Sequence, residues 1–290
     1  MKLYKTKTNI LLEHKSSFFI IDEDWDHLIN RDNLEDYLLA KTENAEKLHQ
    51  KTIETSLGPG SVLAPIGRQE VWAAGVTYLK SRDARMEESQ GSGAASLYDK
   101  VYDAERPELF FKAIASRVAG HHQEVYIRKD STWNVPEPEL TLFINSKGNI
   151  QGYTTGNDMS SRSIEGENAL YLPQAKIYEK SAALGPCLFI TSSLLSGETL
   201  IKMAIKRDGL IVYEDSTPIS RIKRSFNELT TYLFSECDFE FGCFLMTGTC
   251  LVPSAGFTLQ PQDVVEISID GIGTLVNTIA YHPKHHSLKK

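Results

Sequence analysis

Glu137 and Glu139 stand one residue apart at the head of an alternating run, Leu140-Thr141-Leu142-Phe143-Ile144. Side chains on a β-strand change face at every residue, so the two carboxylates share one face while Leu140, Leu142 and Ile144 take the other. Two carboxylates on one wall make a platform for a hard divalent cation, which prefers oxygen ligands. An edge strand with its charges in water gives the same pattern, and this stretch leaves both readings open. Pro136 and Pro138 remove backbone donors from one edge of the strand, which suits a pocket rim. Five residues with a Lys147-Gly148-Asn149 turn bridge Ile144 and Ile150, which predicts a hairpin. Its returning strand brings Asp158 back beside the glutamates, where it can close a three-carboxylate site; the alternative is a helix N-cap worth about 1 kcal/mol.

Other candidates are scattered more widely. Glu108 abuts an aromatic run in Arg106-Pro107-Glu108-Leu109-Phe110-Phe111-Lys112. Partial desolvation there would raise its pKa, as a general acid needs, although a surface glutamate fits the same residues. His121 and His122 are adjacent, so on a strand they face opposite ways and do not share a metal; both read as surface residues.

The elements that must position these groups are mostly strands. At 290 residues, with 41% hydrophobic and 24% charged positions, the chain suits a large domain with a small partner. Short apolar runs at 10–12 and 17–21, then a helical pattern between Trp25 and Ile53, predict a small N-terminal α/β unit over residues 1–60. Gly58-Pro59-Gly60 marks its boundary with a catalytic domain over residues 61–290. Val71-Trp72-Ala73-Ala74-Gly75-Val76 suits a buried strand, and a charged helical stretch follows from Tyr78. Gln90-Gly91-Ser92-Gly93-Ala94-Ala95-Ser96 reads equally as a lid or a plain loop. From Glu124 onward, short strands joined by Gly/Asp/Pro turns predict a mainly β domain, and the chain as a whole is α+β.

Several classes are excluded or disfavoured. No apolar run approaches the ~20 residues that cross a bilayer, and the start lacks a secretory core, so a cytoplasmic location and no membrane partner are expected. A formal charge of −7 disfavours nucleic acid as a partner. Four dispersed cysteines give neither a zinc cluster nor a disulfide framework. There is no GxSxG elbow, HExxH, P-loop or GxGxxG after a strand. Elimination leaves a carboxylate-held metal as the leading chemistry.

Five motifs then occur in an order that resembles the fumarylacetoacetate hydrolase family over about residues 70–281. They are Glu137-Pro138-Glu139; Gly156-Asn157-Asp158-Met159-Ser160-Ser161-Arg162; Lys176 with Leu184-Gly185-Pro186; Thr247-Gly248-Thr249; and Gly271-Ile272-Gly273-Thr274-Leu275-Val276-Asn277. The resemblance implies a mixed β-roll catalytic domain and a homodimer or homotetramer. It also implies that Glu137, Glu139 and Asp158 bind Mg²⁺, with Mn²⁺ or Ca²⁺ as substitutes, and that Lys176 lies against a 2-oxo acid substrate. One position departs from the hydrolase pattern: Ser81 stands where the family's water-activating histidine falls. The stretches 75–86 and 106–112 are similar instead to a dehydratase branch acting on 2-keto-3-deoxy-arabinonate and related pentonates. This implies that Glu108 is an acid/base and that dehydration through a metal-stabilised enolate gives 2-oxoglutarate semialdehyde. Lys176 would take the C3 proton or steady the enolate, Glu108 would protonate the C4 hydroxyl, and Ser81, Arg82 and Thr249 would contact substrate oxygens. Acylpyruvate hydrolysis and oxaloacetate decarboxylation are the rival reactions on the same platform.

Overall fold

The computed structural model describes residues 1–43, 45–80, 86, 95–254 and 256–283, with backbone alone at 95–98. Ser81 and Arg82 lie outside the described residues, as does most of the stretch expected to form a lid or loop. Seventeen strands carry the described architecture. The first nine are β1 (Lys2–Lys5), β2 (Ile10–His14), β3 (Ser17–Ile21), β4 (Glu70–Gly75), β5 (Glu108–Ile114), β6 (Val118–Ala119), β7 (Gln123–Ile127), β8 (Asn134–Val135) and β9 (Pro138–Ile144). The remainder are β10 (Ile150–Asp158), β11 (Ser160–Ser161), β12 (Ala182–Ile190), β13 (Leu200–Arg207), β14 (Leu210–Pro218), β15 (Cys243–Met246), β16 (Val264–Ile269) and β17 (Gly273–Tyr281).

The larger sheet runs β3-β2-β1-β12-β10-β9-β15-β4-β5, with β6 beside β12; a second sheet runs β14-β13-β16-β17-β7. Leu140, Leu142 and Ile144 point into the core between these sheets, with Ile201, Met203, Val265 and Ile267 opposite them. Phe143 belongs to a second core on the other side, packed with Leu3, Leu28, Leu34 and Leu184. Both faces of β9 are therefore covered, and every residue in it is buried. Each fully buried aliphatic side chain contributes roughly 1.5–3 kcal/mol, which makes this strand a stiff support. β9 pairs with β10 on one side and β15 on the other, so the reading of it as a solvated edge does not hold.

The fold is mainly β, an α+β arrangement as expected. The strands of residues 1–21 join the main sheet through β1 and β12, where Leu3 lies opposite Leu188. The sheet therefore runs on across the boundary placed at Gly58-Pro59-Gly60. The predicted helical pattern between Trp25 and Ile53 appears as helices Trp25–Ile29, Leu34–Glu43 and Gln50–Ser56. The first two bury Trp25, Leu28, Ile29, Leu34 and Leu38 beneath the sheet. His121 is not a simple surface residue: its Nδ1 accepts the Val276 N–H at 3.1 Å, and burial pulls its pKa down to about 4.

Candidate active site

The pairing of β9 with β10 sets the carboxylates. Glu139 lies opposite Gly156, and the Asp158 N–H closes the ladder onto Glu137 O at 2.9 Å. Gly156 is required there, because a Cβ would fall 2.3 Å from Thr141 Oγ1. Two residues beyond it, Asp158 regains the face that carries Glu139. The N-cap reading of Asp158 does not hold, since Ser161 precedes the helix Arg162–Glu167. Glu137, Glu139 and Asp158 each offer an oxygen within 4.8 Å of the others, and all three residues are buried.

β15 pairs with β9 only as far as Met246 and Thr141. Thr247 still donates its N–H to Leu140 O at 3.0 Å, and beyond it Gly248, at φ 93°, turns the chain away so that a recess opens beside β9. This is the side on which Pro138 offers no donor. The Gly248 N–H instead donates to Glu139 Oε2 at 2.6 Å.

Among the described residues, three cations face this acidic floor. Lys176 Nζ donates to Glu137 Oε2 at 2.6 Å, Asp158 Oδ2 at 3.1 Å and Ser160 Oγ at 2.5 Å. Arg162 Nη2 donates to Glu137 Oε1 at 2.5 Å, and its Nε lies 3.8 Å from Glu165 Oε2. Lys112 is paired with Asp158 Oδ1 and donates to Met159 O at 2.9 Å and Lys176 O at 2.5 Å. Buried charges persist only when paired in this way. Burial holds the Glu139 carboxyl well above the usual range, reinforced by the charges of Asp158 and Glu137 and opposed by Lys176 and the Gly248 N–H.

The donor set fits a divalent cation. Among the described residues, four buried carboxylates (Glu137, Glu139, Asp158 and Glu165) meet three buried cations, which leaves one formal negative charge. A divalent ion would convert that to one positive charge, the amount a single substrate carboxylate neutralises. All three candidate ligands are hard oxygen donors, which suits Mg²⁺ better than a softer metal.

The opposite wall is formed by Gly75, Val76, Phe110 and Thr249. Glu108 lies opposite Gly75 in the pairing of β4 with β5. Its carboxylate packs directly over that glycine, where a Cβ would fall 2.0 Å from Oε2. Val76 adopts φ 52°, a left-handed conformation unusual for a β-branched residue. Thr77 beside it donates to Thr247 O at 2.7 Å and so joins this wall to the Gly248 turn.

Of the residues singled out from the sequence, the structure brings Glu137, Glu139, Asp158, Lys176 and Thr249 together. Glu108 is not among the three clustered carboxylates; it sits on β5 with its carboxylate against Gly75 of the wall. Sequence reasoning assigned no role to Lys112, Arg162, Ser160 or Gly248. All four fall inside the stretches that carry the resemblance, and Lys112 also ends an aromatic run, where a cation that becomes buried has to find acidic partners.

The chain matches the family described as fumarylacetoacetate (FAA) hydrolase C-terminal over residues 70–280, and it belongs to the fumarylacetoacetate hydrolase family. Within that family it is 47% identical to the probable 2-keto-3-deoxyxylonate dehydratase of Haloferax volcanii over 216 residues, covering 74% of this chain and 73% of the relative. It is 39% identical to the 2-dehydro-3-deoxy-D-arabinonate dehydratase of Saccharolobus solfataricus over 220 residues, 75% and 74% of the two chains. A solved 2-keto-3-deoxy-D-arabinonate dehydratase complexed with magnesium and 2,5-dioxopentanoate superposes with a TM-score of 0.82 at 32% identity, covering 98% of this chain and 100% of the other.

Proposed function

We propose that the protein is a Mg²⁺-dependent hydro-lyase that dehydrates a 2-keto-3-deoxy pentonate, 2-keto-3-deoxy-arabinonate or a related one, to 2-oxoglutarate semialdehyde. The observation that carries this reading is the buried floor of Glu137, Glu139 and Asp158 with Lys176 laid across it. The likeness to dehydratases in sequence and in fold supports the choice of reaction.

Glu137, Glu139 and Asp158 would hold the metal, which when bound supplies Lewis acidity toward a 2-oxo acid. Lys176, fully buried and fixed by Glu137 and Asp158 on the recess, would take the C3 proton as the neutral amine or, as the ammonium, steady the negative charge left by its loss. Glu108 is the acid that delivers a proton to the C4 hydroxyl as the C4–O bond breaks and water departs. The unsaturated 2-oxo acid so formed carries its hydroxyl on C5, and migration of the double bond toward C5 yields the aldehyde. Thr249 offers a hydroxyl on the same wall, and Ser81 and Arg82 belong to this reading as contacts for substrate oxygens. Exposed Leu210, Ile211 and Val212 on edge strand β14 suit a subunit contact in a homodimer or homotetramer.

The test is product analysis. Protein and Mg²⁺ are incubated separately with 2-keto-3-deoxy-D-arabinonate, its C4 enantiomer from the L-series, an acylpyruvate and oxaloacetate. Formation of 2,5-dioxopentanoate, abolished by a chelator, is the expected result. Release of pyruvate from an acylpyruvate or oxaloacetate, with no 2,5-dioxopentanoate from either sugar acid, would replace dehydration with the rival chemistry.

A further inference from the structure

Two fully buried lysines serve the carboxylate floor, and their hydrogen bonds differ in kind. Lys176 spends its three donors on Glu137, Asp158 and Ser160, so two of its acceptors are the carboxylates a cation would occupy. Lys112 pairs with one oxygen of Asp158 and gives its other donors to two backbone carbonyls, Met159 O and Lys176 O. An ammonium has three donors, so this set saturates it. A cation binding among the carboxylates competes with Lys176 for oxygens; the two carbonyls under Lys112 are not metal ligands in that reading.

The backbone is shaped to place Lys112. Val71 lies opposite Ala113 and Trp72 opposite Phe111, so one residue of β4 answers to two of β5, and Lys112 is the extra one. A bulge of this kind breaks the alternation of the strand and re-aims a side chain. Here it directs a lysine into complete burial beneath the site.

We propose that Lys112 is a positioning residue: it locks the Asp158 carboxylate and the C-terminal end of the helix Leu172–Lys176 in one arrangement, so that the metal ligand and Lys176 keep a fixed separation. The inference rests on the metal-site reading above. Lys112 touches neither substrate nor metal in this arrangement and acts through Asp158 and Lys176. Arginine keeps the charge but not the compact three-way fit, because its donors lie in a plane.

Mg²⁺ titration of the chelator-treated protein by calorimetry, which needs no turnover, separates the possibilities. Lys112→Met and Lys112→Arg should each weaken Mg²⁺ binding about tenfold or more, as loss of a group that orients a ligand does. At saturating Mg²⁺ both should lower kcat about 100-fold while KM moves little, because misplacing Lys176 costs rate rather than binding. A residue that merely fills space would show full kcat once the metal is saturating. Mg²⁺ affinity and kcat within about twofold of the parent in either folded variant overturn the inference, and if Lys112→Met does not fold, Lys112→Arg decides alone. A parent protein that binds no Mg²⁺ instead removes the metal-site reading, a separate failure.

Discussion

The floor of the recess and its far wall are built by different means. The floor stands at the ends of two interior strands, where Glu137, Glu139 and Asp158 are each no more than 4% exposed and held by charge-assisted hydrogen bonds. The wall follows the end of β4, where Val76 adopts a left-handed conformation and Glu108 is only half-buried. From there the chain runs into residues 81–85, outside the described part. A stiff floor suits the task shared by every reaction on a chelated 2-oxo acid. In the proposed reading the wall would face the part of the substrate that differs between dehydration, hydrolysis and decarboxylation, and the choice of bond would belong to it.

On that division, substitutions on the two sides should separate by phenotype. Glu139→Gln should have the largest effect, with activity falling by about 1,000-fold or more and Mg²⁺ binding by calorimetry lost, since it removes a ligand. The fold should survive. The Glu139 carboxyl sits well above its usual range, so its ionised form destabilises the metal-free protein at neutral pH, and Glu139→Gln should melt no lower than the chelated parent. Glu108→Gln comes next. Loss of a general acid should cost about 100- to 10,000-fold in kcat while Mg²⁺ affinity stays at the parental value. A fall in Mg²⁺ affinity in this variant would show the wall and floor to be one unit.

How much of this was legible in the sequence follows the same division. The floor could be found because it is local: two glutamates at period two, a five-residue hairpin and an aspartate at the end of the returning strand fix their own geometry. Its burial could not be read, because whether β9 is an edge depends on β15, which follows about a hundred residues later and pairs through Cys243–Met246. Lys112 was missed for a related reason. Its bulge arises from a slip in register between β4 and β5, and no periodicity in a single strand reports such a slip. The chain order at residue 60 marks a turn well enough, yet the strand pairing that carries β1 into the main sheet is a long-range choice. Glu108 is intermediate: the resemblance named it, and only the structure shows what it leans on.

That support supplies a prediction of medium size. Gly75→Ala would put a methyl 2.0 Å from Glu108 Oε2, well inside contact distance, and the nearest movable atoms belong to the carboxylate itself. The expected outcome is displacement of the proposed acid with the floor untouched. kcat should fall about tenfold to 100-fold, less than in Glu108→Gln because the acid is moved rather than removed. Overpacking should cost about 1–3 kcal/mol in a urea melt, and the Mg²⁺ titration should not change. Gly75→Ala with parental kcat would detach Glu108 from the chemistry.

The smallest effect sharpens the contrast by pH. A carboxyl raised by burial and by like charges must shed its proton before it can serve as a metal ligand, so protons and Mg²⁺ compete at Glu139. Apparent Mg²⁺ affinity should therefore rise with pH, by at most about tenfold per unit for a single proton, and level off once the metal-free carboxyl is fully ionised. The stability of the metal-free protein should move the opposite way. A carboxyl whose folded pKa exceeds its unfolded one binds more protons in the native state, so this contribution is lost as pH climbs above the ordinary carboxylate range. Mg²⁺ should raise the melting temperature most at the alkaline end. Calorimetry in buffers of different ionisation enthalpy measures the proton released on binding. Glu108→Gln should leave that release unchanged, because Glu108 is not one of the three clustered carboxylates; a changed release would place it electrically within the floor.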